Sequence, residues 1–443
     1  MDSKKISLNK TKRIHMIGIK GTGMAPLAVN LKNMGIKISG SDFSEIFFTD
    51  ELLKKHGLKV MSPFSPGNIP ADTELVVSST AYNSKNLEIQ EAEKRGIRIL
   101  SYPEVIGLLS KSLKSVAVCG SHGKTTTSAL LSYILSRSDK GVLHNVGSIV
   151  PQLLGYKAKK TDIFVFEADE YQNKFKYFNP DIVVLTNIDY DHPDFFKTDK
   201  EYKNTFYEFV SKIPNDGLLI YCSDDKNAKI AAKYAKCKTI SYGFNDGADF
   251  FSDRNKFRTK LIGRHNILNI SAAEICASHL GIPEVTIKRA VAGFRGVKRR
   301  LEFIGKKIIN GQQCIMIDDY GHHPTEIKAT IAGLKNYYPD LELWTIFQPH
   351  TFSRTKALFD DFTRCFGDSD KTIILDIYAS KREATGDVHS WDLVKAAQRV
   401  QSKPIFYKQD TQKAAEFIKS KIKAPSVIMT IGASNVWQLH ELL

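Results

Sequence analysis

Ser115–Val116–Ala117–Val118–Cys119 runs into Gly120–Ser121–His122–Gly123–Lys124–Thr125–Thr126–Thr127, and Ala129–Leu130–Leu131–Ser132–Tyr133–Ile134–Leu135 follows at helical spacing. An apolar strand, a glycine turn, a lysine and a helix in this order predict a phosphate cradle. Gly120 and Gly123 let backbone N–H groups approach an anion, and the helix start adds its positive end. Lys124 reaches toward the outer phosphates of a nucleotide, and the Thr125 hydroxyl suits Mg²⁺. Ser121, His122 and Thr126 complete the loop. Two residues separate the glycines, against four in the general nucleotide-binding signature.

Strands alternate with helices on both sides of this loop, which predicts parallel sheets with right-handed crossovers. The expected fold class is α/β in three domains. Residues 1–108 form a Rossmann-like N-terminal domain, 109–304 a central P-loop ATPase domain with a mostly parallel sheet, and 305–443 a C-terminal Rossmann-like domain. The first block opens with the strand Arg13–Ile17, the turn Gly18–Ile19–Lys20–Gly21–Thr22–Gly23 and a helix from Met24 to Met34. Further strands are expected at 36–40 and 74–79. The central block adds strands at 163–166, 181–186 and 218–222, each nearly all apolar, as when both sheet faces are covered. The stretch 238–261 alternates more loosely and reads as a small antiparallel piece. Residues 263–280 read as a loop feeding a helix. The third block begins near Gly305, with parallel-sheet runs at 314–317, 343–347, 372–375, 405–407 and 427–430.

The 443 residues carry 63 Lys+Arg against 48 Asp+Glu, a formal charge of +15. The basic residues are scattered, with no dense tract interleaved with aromatics, so no nucleic-acid partner is expected; they suit steering of phosphorylated small molecules. None of the six cysteines forms a Cys-x-x-Cys pair or shares zinc-site spacing with histidines. Several lie in apolar runs, which points to a reducing, cytoplasmic compartment. Residues 1–13 are polar and lysine-rich without a signal-peptide core, and no segment approaches about eighteen consecutive apolar residues, so no membrane insertion is expected.

Metal ligands for a phosphate loop are expected at the carboxyl ends of neighbouring strands. One such end carries Glu167–Ala168–Asp169–Glu170, the other Asn187–Ile188–Asp189–Tyr190–Asp191–His192. Carboxylate oxygens suit Mg²⁺; an imidazole is less usual there. The proposed metal set is Thr125, Glu167 and His192, with Lys124, Glu167 and His192 as the catalytic group. In the first block Gly18, Gly21, Thr22 and Gly23 admit a pyrophosphate at a helix start. Asp42, Ser78 and Ser79 stand at later strand ends; helix capping is the alternative for them. The glycines fall as Gly-x-x-Gly-x-Gly, so a redox dinucleotide fold is the rival for this block alone.

Residues 120–127, 167–170 and 186–188 with Asp191–His192 resemble the Mur ligases, ATP-dependent amide-forming enzymes of cell-wall precursor synthesis. Gly263–Arg264–His265–Asn266–Ile267–Leu268–Asn269 is similar to that family's adenine-side motif. Arg299–Arg300–Leu301–Glu302 is similar to its entry into the third domain. Asp318–Asp319–Tyr320–Gly321–His322–His323–Pro324–Thr325–Glu326, with Phe347–Gln348–Pro349–His350 and Ser353–Arg354–Thr355, most resembles the alanine-adding branch. The resemblance implies ATP and Mg²⁺ as cofactors, with Asn269, Arg300 and Asp319 beside the phosphate loop around ATP. It implies UDP-N-acetylmuramate as acceptor on the first block, L-alanine as the incoming amino acid and an acyl phosphate between them. It also implies a second Mg²⁺ at His192, without the carbamylated lysine of other members; nothing marks Lys197 or Lys200 for that role.

Tyr320, His322, His350 and Arg354 are the expected amino-acid residues. A guanidinium suits an α-carboxylate and a neutral imidazole accepts an amine proton. Two departures stand out. Thr351 occupies the place of a second arginine found in many alanine-adding members, and Glu170–Tyr171 replaces their Glu-Ser-Asp form. Attachment of a preformed tripeptide to the same acceptor, or a non-catalytic nucleotide-binding homologue, are the alternatives.

Overall fold

The alternating apolar runs assemble into three separate sheets in a computed structural model, which describes residues 8–158, 160–379 and 386–443. Residues 1–7 of the lysine-rich N-terminal stretch lie outside the described residues.

The first sheet holds β1 (Arg13–Ile17), β2 (Lys37–Ser41), β3 (Val60–Met61), β4 (Leu75–Ser78) and β5 (Arg98–Ser101). All pair in parallel, in the order β3-β2-β1-β4-β5. Strand order reverses between β1 and β4, which opens a crevice at their carboxyl ends. The glycine turn 18–23 lies there, ahead of the helix Met24–Asn33.

The central sheet holds β6 (Lys114–Cys119), β7 (Val142–Asn145), β8 (Ile163–Glu167), β9 (Ile182–Leu185), β10 (Leu218–Cys222), β11 (Lys238–Gly243) and β12 (Phe250–Phe251). Its order is β12-β11-β10-β9-β6-β8-β7, again all parallel. Val116 to Cys119 are fully buried, each large apolar side chain contributing about 1.5–3 kcal/mol. Because β6 lies between β8 and β9, the phosphate loop emerges between the two acidic strand ends. The antiparallel piece expected at 238–261 is not formed: β11 and β12 extend the parallel sheet. Their position at the sheet margin exposes Lys238 and Thr239, which produces the loose alternation. The loop expected after Gly263 is absent too: Gly263, at φ +96°, turns the chain directly into the helix Arg264–His279.

The third sheet holds β13 (Glu302–Ile309), β14 (Gln312–Asp319), β15 (Glu342–Phe347), β16 (Lys371–Ile374), β17 (Ile405–Tyr407) and β18 (Ser426–Ile431), in the order β13-β14-β18-β15-β16-β17. Only β13 is antiparallel. It escapes a search for buried runs because Phe303, Ile304 and Ile308 are exposed on this edge strand. The expected domain ends at 108 and 304 fall inside the helix Tyr102–Ser112 and inside β13. That helix bridges two blocks: a side chain at Gly107 would meet the Tyr177 carbonyl.

Candidate active site

The phosphate loop is shaped by what surrounds it. Gly120 has φ +126° and Gly123 φ +83°. A Cβ at Gly120 would collide with Thr186 Oγ1, and one at Gly123 with Asn269 Oδ1. Both glycines are therefore required by conformation and by space. The end of β9 clamps the loop. Asn187 O accepts from Ser121 N at 3.0 Å, Asn187 Oδ1 from His122 N at 2.9 Å, and His122 O from Thr186 Oγ1 at 2.6 Å. Asn269 comes from the helix Arg264–His279 and accepts from Thr127 Oγ1 at 3.2 Å.

Lys124 opens the helix Lys124–Ser136 and donates to Gly120 O, to Ser121 O at 3.2 Å and to Glu170 Oε2 at 3.4 Å. Burial disfavours its charge, but Glu170, Asp169, Glu167 and Asp191 outweigh burial and raise its pKa. Thr125 Oγ1 donates to Glu167 Oε2 at 3.1 Å, and Glu167 Oε1 accepts from Gly147 N at 2.5 Å. Burial raises the Glu167 pKa.

The expected metal set divides. Thr125 and Glu167 face each other, whereas His192 joins Asp169 and Glu170, with ligand atoms within 4.8 Å of one another. His192 reaches this position through a left-handed backbone, φ 58°. Thr125, Glu167, Asp169 and His192 line one cavity, and this oxygen-rich, partly buried donor set fits Mg²⁺. Asp169 and Glu170 belong to the acidic run visible in the sequence, but only the fold shows which carboxylates share His192.

In the first domain Gly21, Thr22, Gly23 and Ser79 line that same cavity, whose volume is 350 Å³. Gly18 lies beneath the Tyr82 ring. Asp42 and Ser78 are not among the lining residues. Asp42 instead fastens the glycine turn, accepting from Lys20 N at 2.8 Å, Phe43 N at 2.9 Å and Tyr82 OH at 3.1 Å. Ser78 is buried and donates to Ser79 O at 3.2 Å.

The third domain closes the site. Tyr320 and His322 follow β14 and line the cavity, with ring centroids 5.6 Å apart. His350 lies 6.3 Å from His322 by ring centroids and 3.3 Å from Arg354 Nη1. Arg354 is buried and donates from Nε to Asp191 Oδ1 at 2.9 Å. Burial opposes the Asp191 charge, but Arg354 and His192 hold its carboxyl well below the usual range. Burial, then Arg354, lowers the His322 pKa.

His122 ties the loop to this domain. It meets Asp189 Oδ2 at 2.9 Å and Glu326 Oε1 at 3.3 Å. Burial alone would lower its pKa; these carboxylates push it up to about 9. Asp191, Asp189 and Glu326 lie within motifs legible in the sequence, but their mutual pairing is not.

A second cavity, 370 Å³, opens beside the loop, lined by His122, Gly123, Thr125, Thr126, Asn269, Arg300 and Asp319 among others. His265, which lies in the stretch 263–269 similar to the adenine-side motif but is not among the expected ATP residues, also lines it. Arg300 lines both cavities and lies 3.6 Å from Glu326. The segment carrying it is bent, with φ 60° at Arg299 and φ 47° at Leu301. On one side, Lys298 N donates to Ile149 O and Lys298 O accepts from Ser148 Oγ of the central domain. On the other, Arg299 pairs with Asp318 at 2.9 Å and donates to Gly432 O and Ser434 O.

Family models match along most of the chain: the Mur ligase catalytic domain at residues 13–113, the middle domain at 118–277 and the glutamate ligase domain at 299–434. The UDP-N-acetylmuramate–L-alanine ligase of Caldanaerobacter subterraneus subsp. tengcongensis is 37% identical, covering 98% of each chain. That of Clostridium botulinum is likewise 37% identical over 98% of each. Among solved structures, the UDP-N-acetylmuramate-alanine ligase of Thermotoga maritima superposes with a TM-score of 0.80 at 22% identity, covering 97% of this chain and 98% of that one. A murein peptide ligase from Psychrobacter arcticus gives 0.71 at 23% identity, covering 97% of each.

Proposed function

The chain belongs to the Mur ligase family, and from that membership we propose that it is an ATP-dependent ligase joining L-alanine to the lactyl carboxylate of UDP-N-acetylmuramate in peptidoglycan precursor synthesis. One observation carries the reading: a single cavity brings together the glycine turn of the first domain, Lys124 and Glu167 of the second, and Tyr320 and His322 of the third. Acceptor, phosphoryl donor and incoming amine each require a wall of that cavity.

Forming an amide from a carboxylate needs an activated carbonyl. The γ-phosphoryl group passes from ATP to a carboxylate oxygen of the acceptor, releasing ADP. The alanine amine then attacks the acyl carbon, and inorganic phosphate leaves. Phosphoryl transfer depends on positioning and charge neutralisation. Lys124, fixed at the loop, supplies a permanent cation for the transferred group. Asn269, Arg300 and Asp319 border the cavity assigned to the nucleotide. Gly21, Thr22, Gly23 and Ser79 receive the UDP portion, while Gly18, Asp42 and Ser78 support that turn from behind. Thr125 with Glu167, and Asp169 and Glu170 with His192, would hold Mg²⁺, which neutralises phosphate charge when bound.

His322, kept neutral by burial and Arg354, accepts the proton that the amine sheds. Tyr320, His350 and Arg354 border the amino acid. With six free cysteines among the described residues and no helix there long and apolar enough to cross a membrane, we place the reaction in the cytoplasm.

The test is ADP release from ATP and UDP-N-acetylmuramate across a panel of amino acids and the tripeptide L-alanyl-γ-D-glutamyl-meso-diaminopimelate, with product mass. L-alanine-dependent release with the mass of the alanyl product is expected. Release with the tripeptide alone would overturn the assignment.

A further inference from the structure

Lys174 has no part in the steps above, yet its placement is costly. It lies in the turn Tyr171–Tyr177 after β8, directly behind two left-handed residues, Gln172 (φ 57°) and Asn173 (φ 53°). Consecutive non-glycine residues in that conformation are uncommon and strained, and such strain concentrates where a side chain must be aimed. Here it folds the chain back so that Lys174 ion-pairs with Asp169 and lies 5.4 Å from the Tyr171 ring centre. Lys174 is only 9% exposed. It lines the reaction cavity with Thr22, Gly23, Lys124, Glu167 and His192.

A lysine is rarely this buried without partners. A pair with Asp169 alone needs neither a double left-handed turn nor a place in the cavity lining. We propose that Lys174 binds the carboxylate of the acceptor, a nucleoside-diphosphate sugar acid, and holds it toward the phosphate loop. This rests on the ligase reading above. The reaction brings two anions, the transferred phosphoryl group and the acceptor carboxylate, into one cavity; Lys124 serves the first, and Lys174, beside the Mg²⁺ ligands proposed above, adds a second fixed cation for the other. The ion pair with Asp169 fixes where the ammonium lies.

The experiment compares wild type and Lys174→Met by calorimetry, with a non-hydrolysable ATP analogue and Mg²⁺ present. The ligands are UDP-N-acetylmuramate and UDP-N-acetylglucosamine, which shares the diphosphate but lacks the carboxylate. Loss of a charge-assisted pair should weaken the first by about tenfold to a hundredfold and leave the second and the analogue unchanged. Equal weakening of both sugars would transfer Lys174 to the diphosphate and overturn the proposal. So would unchanged binding of both, which would leave a purely structural pair with Asp169. Lys174→Gln carries the same comparison if the Met variant does not fold. Wild-type ADP release indifferent to UDP-N-acetylmuramate would instead overturn the ligase reading itself.

Discussion

Arg354 of the third domain donates to Asp191 of the central domain at 2.9 Å, with both side chains 7% exposed. A guanidinium expected to greet the amino acid is therefore also an interdomain anchor. Removing it strands a buried carboxylate, at a cost of about 3–5 kcal/mol. Arg354→Ala should lower stability by that order in denaturant unfolding, and adding Asp191→Asn should restore most of the loss. In turnover, the KM for alanine should rise more than those for ATP or the UDP-sugar. An unchanged alanine KM with lowered stability would leave Arg354 as an anchor only.

Lys124→Ala should abolish ligation while the protein stays folded. No other cation opens the helix behind the loop, and loss of such charge stabilisation costs about a hundredfold or more in rate. ADP release and circular dichroism, measured together, check this. A folded variant with full turnover would contradict the phosphate-loop assignment.

His192→Ala should damage turnover more than nucleotide affinity, because its neighbours are Asp169 and Glu170 rather than the nucleotide cavity. The Mg²⁺ concentration for half-maximal rate should also rise. Titrating Mg²⁺ in turnover, beside direct binding of an ATP analogue, separates the two effects.

The His122 contacts predict a pH signature. Its pKa is raised from 6.5 to about 9 in the folded protein, where Asp189 and Glu326 overcome burial. The folded state thus holds this proton more tightly than the unfolded chain. The resulting stability is fully present below pH 6.5 and fades as the pH rises through 9. The difference in thermal midpoint between wild type and His122→Gln should therefore shrink across that window. A difference constant from pH 6 to 9.5 would remove the charged role.

The strands that carry chemistry were legible because both their faces are buried: Arg13–Ile17 and Leu218–Cys222 appear with the bounds read from the sequence. Edge strands were not, since β13 exposes Phe303 and Ile308 to solvent and its pairing depends on the turn at Asn310 and Gly311 rather than on periodicity. In the site, Lys124, Thr125 and Glu167 follow from local spacing around a strand end. The sharing of His192 with Asp169 and Glu170, and of Asp191 with Arg354, depends on how loops from different strands and domains meet. No local pattern encodes that. Asp42 shows the converse: a strand-end carboxylate with the expected address, turned inward to secure the glycine turn.

The bend at Arg299 to Leu301 has a mechanical consequence. Lys298 is fastened to the central body and Arg299 to the third, so the flexible bonds between these two bodies along this connection are confined to a very short length of chain. Arg300 is the next residue, and it borders both cavities. That guanidinium also lies 3.6 Å from Glu326 and over the Tyr320 ring of the third body, so a rotation about this axle would be felt at the boundary between the two chambers. A change of angle between the two bodies at this connection would alter both chambers through one side chain. A rigid molecule wedged against Arg300 would block both at once.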